Sequence, residues 1–461
     1  MLKKSYLALL LVFVLILSGC SLVVKDDAVD AKRVIIDVNG ETVDKQTVNA
    51  AVDYQLQYTA YMYSMYGYSY DATSEENRTK AIDTVIDGEV NQLVKKQKIK
   101  ELGYDQFTDE EITELTASSK EQYTSILDSI KSMYLSSSTN EGDALTAEAE
   151  EYAKTNYGYT PESMLENAKA TKSEEKLKAD AVKDVTVSED EIKADYDSKV
   201  ESAKTSYASD ITAYGKSVNA GSTVYYAPAG YRYVKQILVK FKDEDSTAIT
   251  TAKTALTDAQ TALTTAQTAL TDNETKLAAE GITDDDKKTL TDAQPALKTA
   301  VDDAQAKVDA ATAAVAAATE TAYANIQATV DEVYQKAIAG DDFDALMETY
   351  NQDPGMQKEP GKTNGYAVCA GYTPFETAFV EAAMALEKIG DISAPVKSDS
   401  YGFYIIRYQG DIAEGAVDIA TVRDGIQSAL LSTKQDEAYD AAVKAWRDAS
   451  SVKIYKDRLS D

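Results

Sequence analysis

Apolar residues along this chain recur mostly every three or four positions, and every second position only in a few short runs. The run Ile35-Ile36-Asp37-Val38-Asn39-Gly40-Glu41-Thr42-Val43 predicts a hairpin, because Asn-Gly tolerates positive φ at both turn positions. Asp44 then offers an N-cap to a helix carrying Val48, Val52 and Leu56 on one face. A second helix is predicted over 81–102 from Ile82, Val85, Ile86, Val90, Leu93 and Val94, with Gly103 as its stop. Thr108 to Glu111 before Ile112, and Ser188 to Glu191 before Ile192, are capping boxes that open further helices. The first half therefore reads as mainly helical.

From Ala252 the pattern becomes nearly periodic. Leu256, Leu263, Leu270 and Leu277 are seven apart, with Ala252, Ala259 and Ala266 between them. After Gly281 a second seam runs through Leu290, Leu297, Val301, Ala304, Val308, Ala311 and Val315. Such seams suit two closely packed antiparallel helices, an arm of ~40 Å at 1.5 Å per residue. Thr283 with Asp284, Asp285 and Asp286 caps the returning helix, and Pro295 inside it predicts a kink or a delayed start. The alternative is pairing between molecules, which would make a homodimer.

The flanks of this arm carry strand and helix signals of their own. Tyr231 to Val239 alternates as a strand. Past the arm come a helix through Ile326, Val330, Val333 and Ile338, a short helix from Asp342, and the segment Tyr350-Asn351-Gln352-Asp353. The stretch Gly361 to Tyr366, a helix opened by Pro374-Phe375-Glu376, Ile389 to Val396, and a closing strand Tyr401 to Tyr408 follow. Nearer the amino terminus, Tyr54, Tyr58, Tyr61, Tyr63, Tyr66, Tyr68 and Tyr70 crowd together with Met62 and Met65. They read either as an adaptable binding surface or as a helix core face plus a loop, and the second reading is preferred.

Composition narrows the chemistry. The 461 residues, 44% hydrophobic, suffice for more than one core. With 77 acids, 47 bases and a net charge of −30, nucleic acid is excluded as a partner. No histidine is present, which removes imidazole metal sites and every Ser-His or Cys-His nucleophile. Of the two cysteines, Cys20 follows Lys3-Lys4, an apolar run from Leu7 to Leu17, and Ser18-Gly19. A basic start, a short apolar core and small residues before the cut describe a secretory signal. This segment resembles the lipobox of bacterial lipoproteins, which implies a lipid on Cys20. Cys369 would then have no disulfide partner.

The order of elements over 231–241 and 322–409 resembles the parvulin family of peptidyl-prolyl isomerases, with the arm inserted after the first strand. The amino-terminal hairpin, the helix ending at Leu102-Gly103, the segment Val185 to Ile192 and the final helix 422–449 followed by Val452 to Tyr455 resemble extracytoplasmic foldases of the PrsA and SurA kind. The resemblance implies an α+β multidomain fold. A mainly helical SurA/PrsA-like chaperone domain would be joined to a parvulin-like α/β domain carrying a long antiparallel coiled-coil insertion. The expected order is a signal peptide 1–20, a tether 21–33, a helical chaperone domain 34–225 and a parvulin-like domain 226–410 interrupted by the arm 245–320. A carboxy-terminal segment 411–461 would return to the chaperone domain.

By the same resemblance, Gln236 and Tyr404 stand where the family has two histidines, and Asp353 matches its acid-or-cysteine position. Phe375 matches the proline-pocket phenylalanine, and Tyr366 adds a wall. The pocket methionine has no counterpart, and Asn364 replaces a usual apolar residue. The implied catalytic set is thus Asp353, Gln236 and Tyr404, with Phe375 and Tyr366 binding substrate. No metal or other cofactor is called for, since prolyl rotation needs neither nucleophile nor metal. Residue by residue, Asp353 reads equally well as a turn cap ahead of Pro354. The implied partners are unfolded or newly exported polypeptides and their Xaa-Pro segments, and the membrane through the lipid. The implied location is the outer face of the bacterial cytoplasmic membrane. Three functions stay open: a membrane-anchored foldase that uses its parvulin-like domain for binding or isomerisation, a competent prolyl isomerase, and a structural or adhesive lipoprotein acting through its arm.

Overall fold

A computed structural model describes residues 27–372 and 374–459, so the signal segment and Cys20 lie outside the described residues. In chain order the first elements are α1 (Asp27–Ala31), β1 (Val34–Val38), β2 (Glu41–Asp44), α2 (Lys45–Met65) and α3 (Glu75–Leu102). Next come α4 (Asp109–Met133), α5 (Gly142–Tyr157), α6 (Pro161–Ala181), α7 (Glu189–Ser209) and α8 (Thr212–Asn219). The middle of the chain forms β3 (Tyr226–Ala227), β4 (Tyr231–Lys240), α9 (Asp243–Leu277), α10 (Asp284–Ala339), α11 (Phe343–Tyr350) and α12 (Gly361–Asn364). The remainder is β5 (Tyr366–Cys369), α13 (Thr377–Ala385), β6 (Val396–Ser398), β7 (Gly402–Asp411), β8 (Gly415–Ala416), α14 (Ile419–Ala449) and β9 (Val452–Ile454). This is an α+β chain with long helices and small antiparallel sheets. Among the described residues no helix is long and apolar enough to cross a membrane.

The residues fall into two compact units. One holds the described residues through Val187 together with those from Ser428, and the other holds Ser188–Gln427. In the first, Asn39 and Gly40 turn the hairpin with φ of 53° and 91°, as its sequence requires. Asp44 caps α2 through Thr47 N at 2.9 Å, and Thr108 with Glu111 closes a reciprocal box on α4. Strand β9 pairs antiparallel with β1, Val452 opposite Val38, so the carboxy-terminal segment completes the amino-terminal sheet. Val48, Val52 and Leu56 are buried with Ile86, Val90 and Val94 of α3. Helix α3 begins at Glu75, six residues before the predicted start, because Ser74 caps a polar first turn that carries no apolar signal.

Of the tyrosine-rich stretch, Tyr70 packs against the core of the first unit. Tyr54, Tyr58, Tyr61, Tyr66 and Tyr68 are exposed, on or after the part of α2 that faces away from Val48, Val52 and Leu56. The preferred reading of those residues as a core face is therefore replaced by an exposed aromatic surface.

The second unit is built on a four-stranded antiparallel sheet ordered β5-β4-β7-β6. Alternation along β4 and β7 sends Ile237, Val239, Phe403 and Ile405 to one face, packed with Ile326, Val330 and Val333 of α10 and with α11. Val234, Leu238, Tyr404 and Ile406 go to the other face, packed with Phe379, Val380 and Ala383 of α13 and with Tyr214 of α8. Burial on both faces explains why β4 is closed to solvent almost continuously from Val234 to Val239. Ile237, Ile405 and Ile406 are fully buried, each contributing about 2–3 kcal/mol by removal from water. Asn219, at the end of α8, makes paired bonds with Ala367 N and O at 2.7 and 3.0 Å and covers an edge of β5.

Helices α9 and α10 form the antiparallel arm, and α10 continues without a break from its tip into the core. Pro295 lies inside α10, and the helix continues through it. Asn273 occupies the seam position held by Ala266, Ala259 and Ala252 one, two and three heptads earlier. It is buried there, donating to Leu290 O at 3.2 Å while its Oδ1 has no partner.

Candidate functional site

The segment that follows α11 is tied to β4 as though it were another strand. Asn351 Oδ1 accepts from Leu238 N at 2.9 Å, Gln352 N donates to Leu238 O at 2.9 Å, and Gln352 Oε1 accepts from Lys240 N at 2.7 Å. These bonds place Asp353 beside Gln236. Asp353 Oδ2 accepts from Gln236 Nε2 at 2.6 Å and from Tyr366 Oη at 2.8 Å. Its Oδ1 accepts from Gly355 N at 2.9 Å, so the turn-capping reading of Asp353 holds for one oxygen while the other gathers the site. A carboxylate can only accept, which fixes the orientation of the Gln236 amide and leaves its buried Oε1 without a partner.

Close approach here depends on glycine. A Cβ on Gly355 would lie 1.9 Å from Tyr366 Oη, and one on Gly365, whose φ is 81°, would lie 2.4 Å from Val234 O. Burial, followed by the Asp353 charge, pushes the Tyr366 phenol well above its ordinary range, so it remains a donor.

An aromatic wall adjoins this network. The half-buried Phe375 ring lies 4.9 Å from Tyr366, 5.1 Å from Tyr372 and 5.4 Å from Phe379, centroid to centroid. Arg232 fixes the far end of α13 by donating from Nη1 to the carbonyls of Ala383, Met384 and Leu386 at 3.2, 3.2 and 2.7 Å. These oxygens have no partner within a helix that is ending, so the arginine holds the helix that carries Phe379.

Tyr404 shares the sheet face of Gln236, since Gln236 pairs with Ile406 and Leu238 with Tyr404. Its surroundings differ, however. Burial, then the charge of Glu376, pushes the Tyr404 phenol up. The structure therefore unites Gln236, Asp353, Tyr366 and Phe375, and places Tyr404 near the charge of Glu376. Asn351, Arg232 and Glu376 are contributors that pattern reasoning passed over. Asn351 had a legible signal, an Asn two residues before an Asp-Pro turn.

The first unit contains a separate cleft of about 1010 Å³ along α4 and α6. Its lining combines apolar Leu115, Ile126, Met164 and Tyr439 with uncharged polar side chains such as Gln122 and Asn167 and with charged ones that include Glu111, Glu174 and Lys178.

Residues 307–410 match the family model of the rotamase, or PPIC-type PPIASE, domain. Over 128 residues, 28% of this chain and 37% of the relative, the sequence is 28% identical to the foldase protein PrsA of Clostridium botulinum strain Hall. Over 123 residues, 26% of this chain and 37% of the relative, it is 33% identical to PrsA of Caldanaerobacter subterraneus. The match thus spans little more than a third of these relatives' length. The solved Bacillus cereus PrsA is 16% identical, with a TM-score of 0.18 over 93% of this chain and 96% of that one. A structure described among the SurA-like chaperones of Campylobacter jejuni is 15% identical, with a TM-score of 0.24 over 76% of this chain and 96% of that one. Asp353, Tyr366 and Phe375 thus lie within the stretch that matches the PPIC-type peptidyl-prolyl isomerase domain, in a chain similar over part of its length to PrsA foldases, and Gln236 reaches them from β4 outside that stretch.

Proposed function

We propose that this chain is an extracytoplasmic foldase, held by a lipid on Cys20 to the outer face of the cytoplasmic membrane. It holds newly exported polypeptides and rotates their Xaa-Pro bonds. The observation that carries this reading is the Asp353 carboxylate, bonded by Gln236, Tyr366 and the Gly355 N–H beside the half-buried Phe375 ring. Amide resonance sets a barrier of ~18–20 kcal/mol, and a catalyst has only to favour the twisted amide. The absence of histidine therefore does not bar the reaction.

In this mechanism the pyrrolidine ring lies on Phe375, between Tyr366 and Phe379. Gln236 uses one amide hydrogen on Asp353, and its second meets the prolyl nitrogen, whose lone pair is released as the amide twists. Asp353 positions that amide, and Tyr366 holds the carboxylate. The cleft along α4 and α6, lined by apolar side chains together with uncharged and charged polar ones, suits a segment of unfolded chain and supports the holding role.

The test is prolyl isomerisation by the region from Ser21 onward, beside Asp353→Ala and Phe375→Ala. The expected result is acceleration above the spontaneous rate that falls at least about tenfold in each variant. A second reading, a domain that binds proline segments without turning them, is favoured by Gln236 and Tyr404 standing at the histidine positions. No acceleration from a folded protein that still prevents client aggregation would select it. Mass spectrometry of the mature amino terminus tests the anchor, and an unmodified Cys20 would refute it.

A further inference from the structure

Gln236 and Glu376 each keep a shielded acceptor without a partner. Gln236 is 4% exposed, and its Oε1 has no hydrogen-bond partner. Glu376 follows Phe375 in sequence, and its shielded Oε2 likewise has no partner. Buried acceptors without donors are uncommon and call for one.

Charge points the same way. Neither Asp353 nor Glu376 makes a salt bridge among the described residues. Three of the four basic side chains on β4 and β7 are engaged elsewhere, and the fourth, Lys240 at the end of β4, makes no salt bridge among the described residues. Lys235 pairs with Asp344 at 2.8 Å, on the face opposite Gln236. Arg232 is spent on Asp411 and on the carbonyls that end α13, and Arg407 lies over the Phe343 ring. Two carboxylates, Asp353 and the Glu376 that adjoins Phe375 in sequence, are thus left without a salt-bridging cation among the described residues. Burial and the neighbouring carboxylates push the Tyr366 and Tyr404 phenols up, so these rings stay neutral and relieve none of that charge.

We infer that Glu376 is a specificity-determining residue, which makes this site select proline segments carrying Lys or Arg next to the proline and reject those carrying Asp or Glu. The inference rests on the reading of the Phe375 wall as the proline site. A basic side chain beside the proline donates to the Glu376 carboxylate and gains from the Asp353 charge, whereas an acidic one meets two like charges. Hydrophobic contact with Phe375 is common to all proline segments, so the flanking charge is what discriminates.

The experiment compares three short peptides that differ only in Lys, Ala or Glu before the proline. Dissociation constants and isomerisation rates are both read by NMR for the wild-type region from Ser21 onward, for Glu376→Gln and for Glu376→Lys. The expected result is about tenfold tighter binding of the Lys-Pro than of the Glu-Pro peptide at low salt, shrinking as salt screens the charges. Glu376→Gln should remove most of the difference, and Glu376→Lys should reverse its sign. Equal binding of the three peptides, no binding of any, or a ratio unchanged in Glu376→Gln would overturn the inference. Catalysis separates the two proposals. Selective binding without rate acceleration would remove the isomerase reading and leave the inference standing, and acceleration equal for all three peptides would do the reverse.

Discussion

Replacing Gly355 by alanine probes the site at its tightest point. The glycine has a φ outside the left-handed region, so its backbone accepts a Cβ and any penalty must come from contact. That Cβ would stand 1.9 Å from Tyr366 Oη and 3.1 Å from Tyr366 Cζ. A carbon and a hydroxyl oxygen need roughly 3.3 Å, so the ring has to retreat by more than ~1 Å. Retreat breaks the 2.8 Å bond from Tyr366 to Asp353, and a hydrogen bond to a charged group contributes about 1.5–3 kcal/mol. It also loosens the 4.9 Å contact with Phe375, worth about 0.5–1.5 kcal/mol, while restriction of the unfolded chain returns about 0.4–1 kcal/mol. The net destabilisation should be about 2 kcal/mol.

A chain with two units can unfold in separate steps, so the readout should be hydrogen exchange of β4 and β7 amides, expected to quicken about thirtyfold. The same substitution in a Tyr366→Phe background should cost only about 0.5 kcal/mol, because the oxygen it strikes is gone and only the ring carbon remains close. Equal penalties in the two backgrounds, or no penalty at all, would refute the steric account.

Deleting 252–318 and closing the gap with a short flexible linker should leave the rotamase unit folded, with its stability changed by less than about 1 kcal/mol. The retained ends are held by Phe241 against Tyr323, by Ile249 in the core, and by Asn325 donating to Asp245 at 2.9 Å; loss of cooperative unfolding would contradict this. Asn273→Ala should stabilise the arm by about 1 kcal/mol, since it removes a buried unpartnered oxygen from a seam otherwise built of alanine, and faster exchange in α9 would show the opposite balance. The Tyr157 phenol is pushed up to about 12, first by its hydrogen bond with Tyr134 and then by burial. Because the folded value exceeds the unfolded one, its stabilisation is complete below about pH 10 and is lost as pH rises toward 12. Tyr134→Phe should therefore lower the Tyr157 midpoint in an absorbance titration near 295 nm; an unmoved midpoint would deny the bond its role.

Much of the local structure was readable because its causes are local. The Asn39-Gly40 turn, the Asp44 and Thr283 caps, the boxes at Thr108 and Ser188, and the heptad seam each need only a few neighbouring residues to act. The resemblance could nominate Gln236, Asp353, Tyr366 and Phe375, since motif words survive in linear order. It could not say how they are bonded. Gln236 and Asp353 are 117 positions apart, and what joins them is the pseudo-strand bonding of Asn351 and Gln352 to β4.

The readings that periodicity misjudged share a cause. Exposed and buried aromatics have the same letters, so Tyr54, Tyr58 and Tyr61 could be placed outside only once Val48, Val52 and Leu56 had taken the inner face. Glu376 reads in the sequence only as an acid after Phe375, and that its Oε2 is shielded and unpartnered is visible only in the fold. The sequence by itself determined the secondary elements, the arm and the acidic, histidine-free chemistry, for these follow from neighbours along the chain and from composition. Tertiary structure alone decided which face is solvent, which oxygen of Asp353 is shared and which charges go uncompensated, because those depend on distances between residues that the chain places far apart.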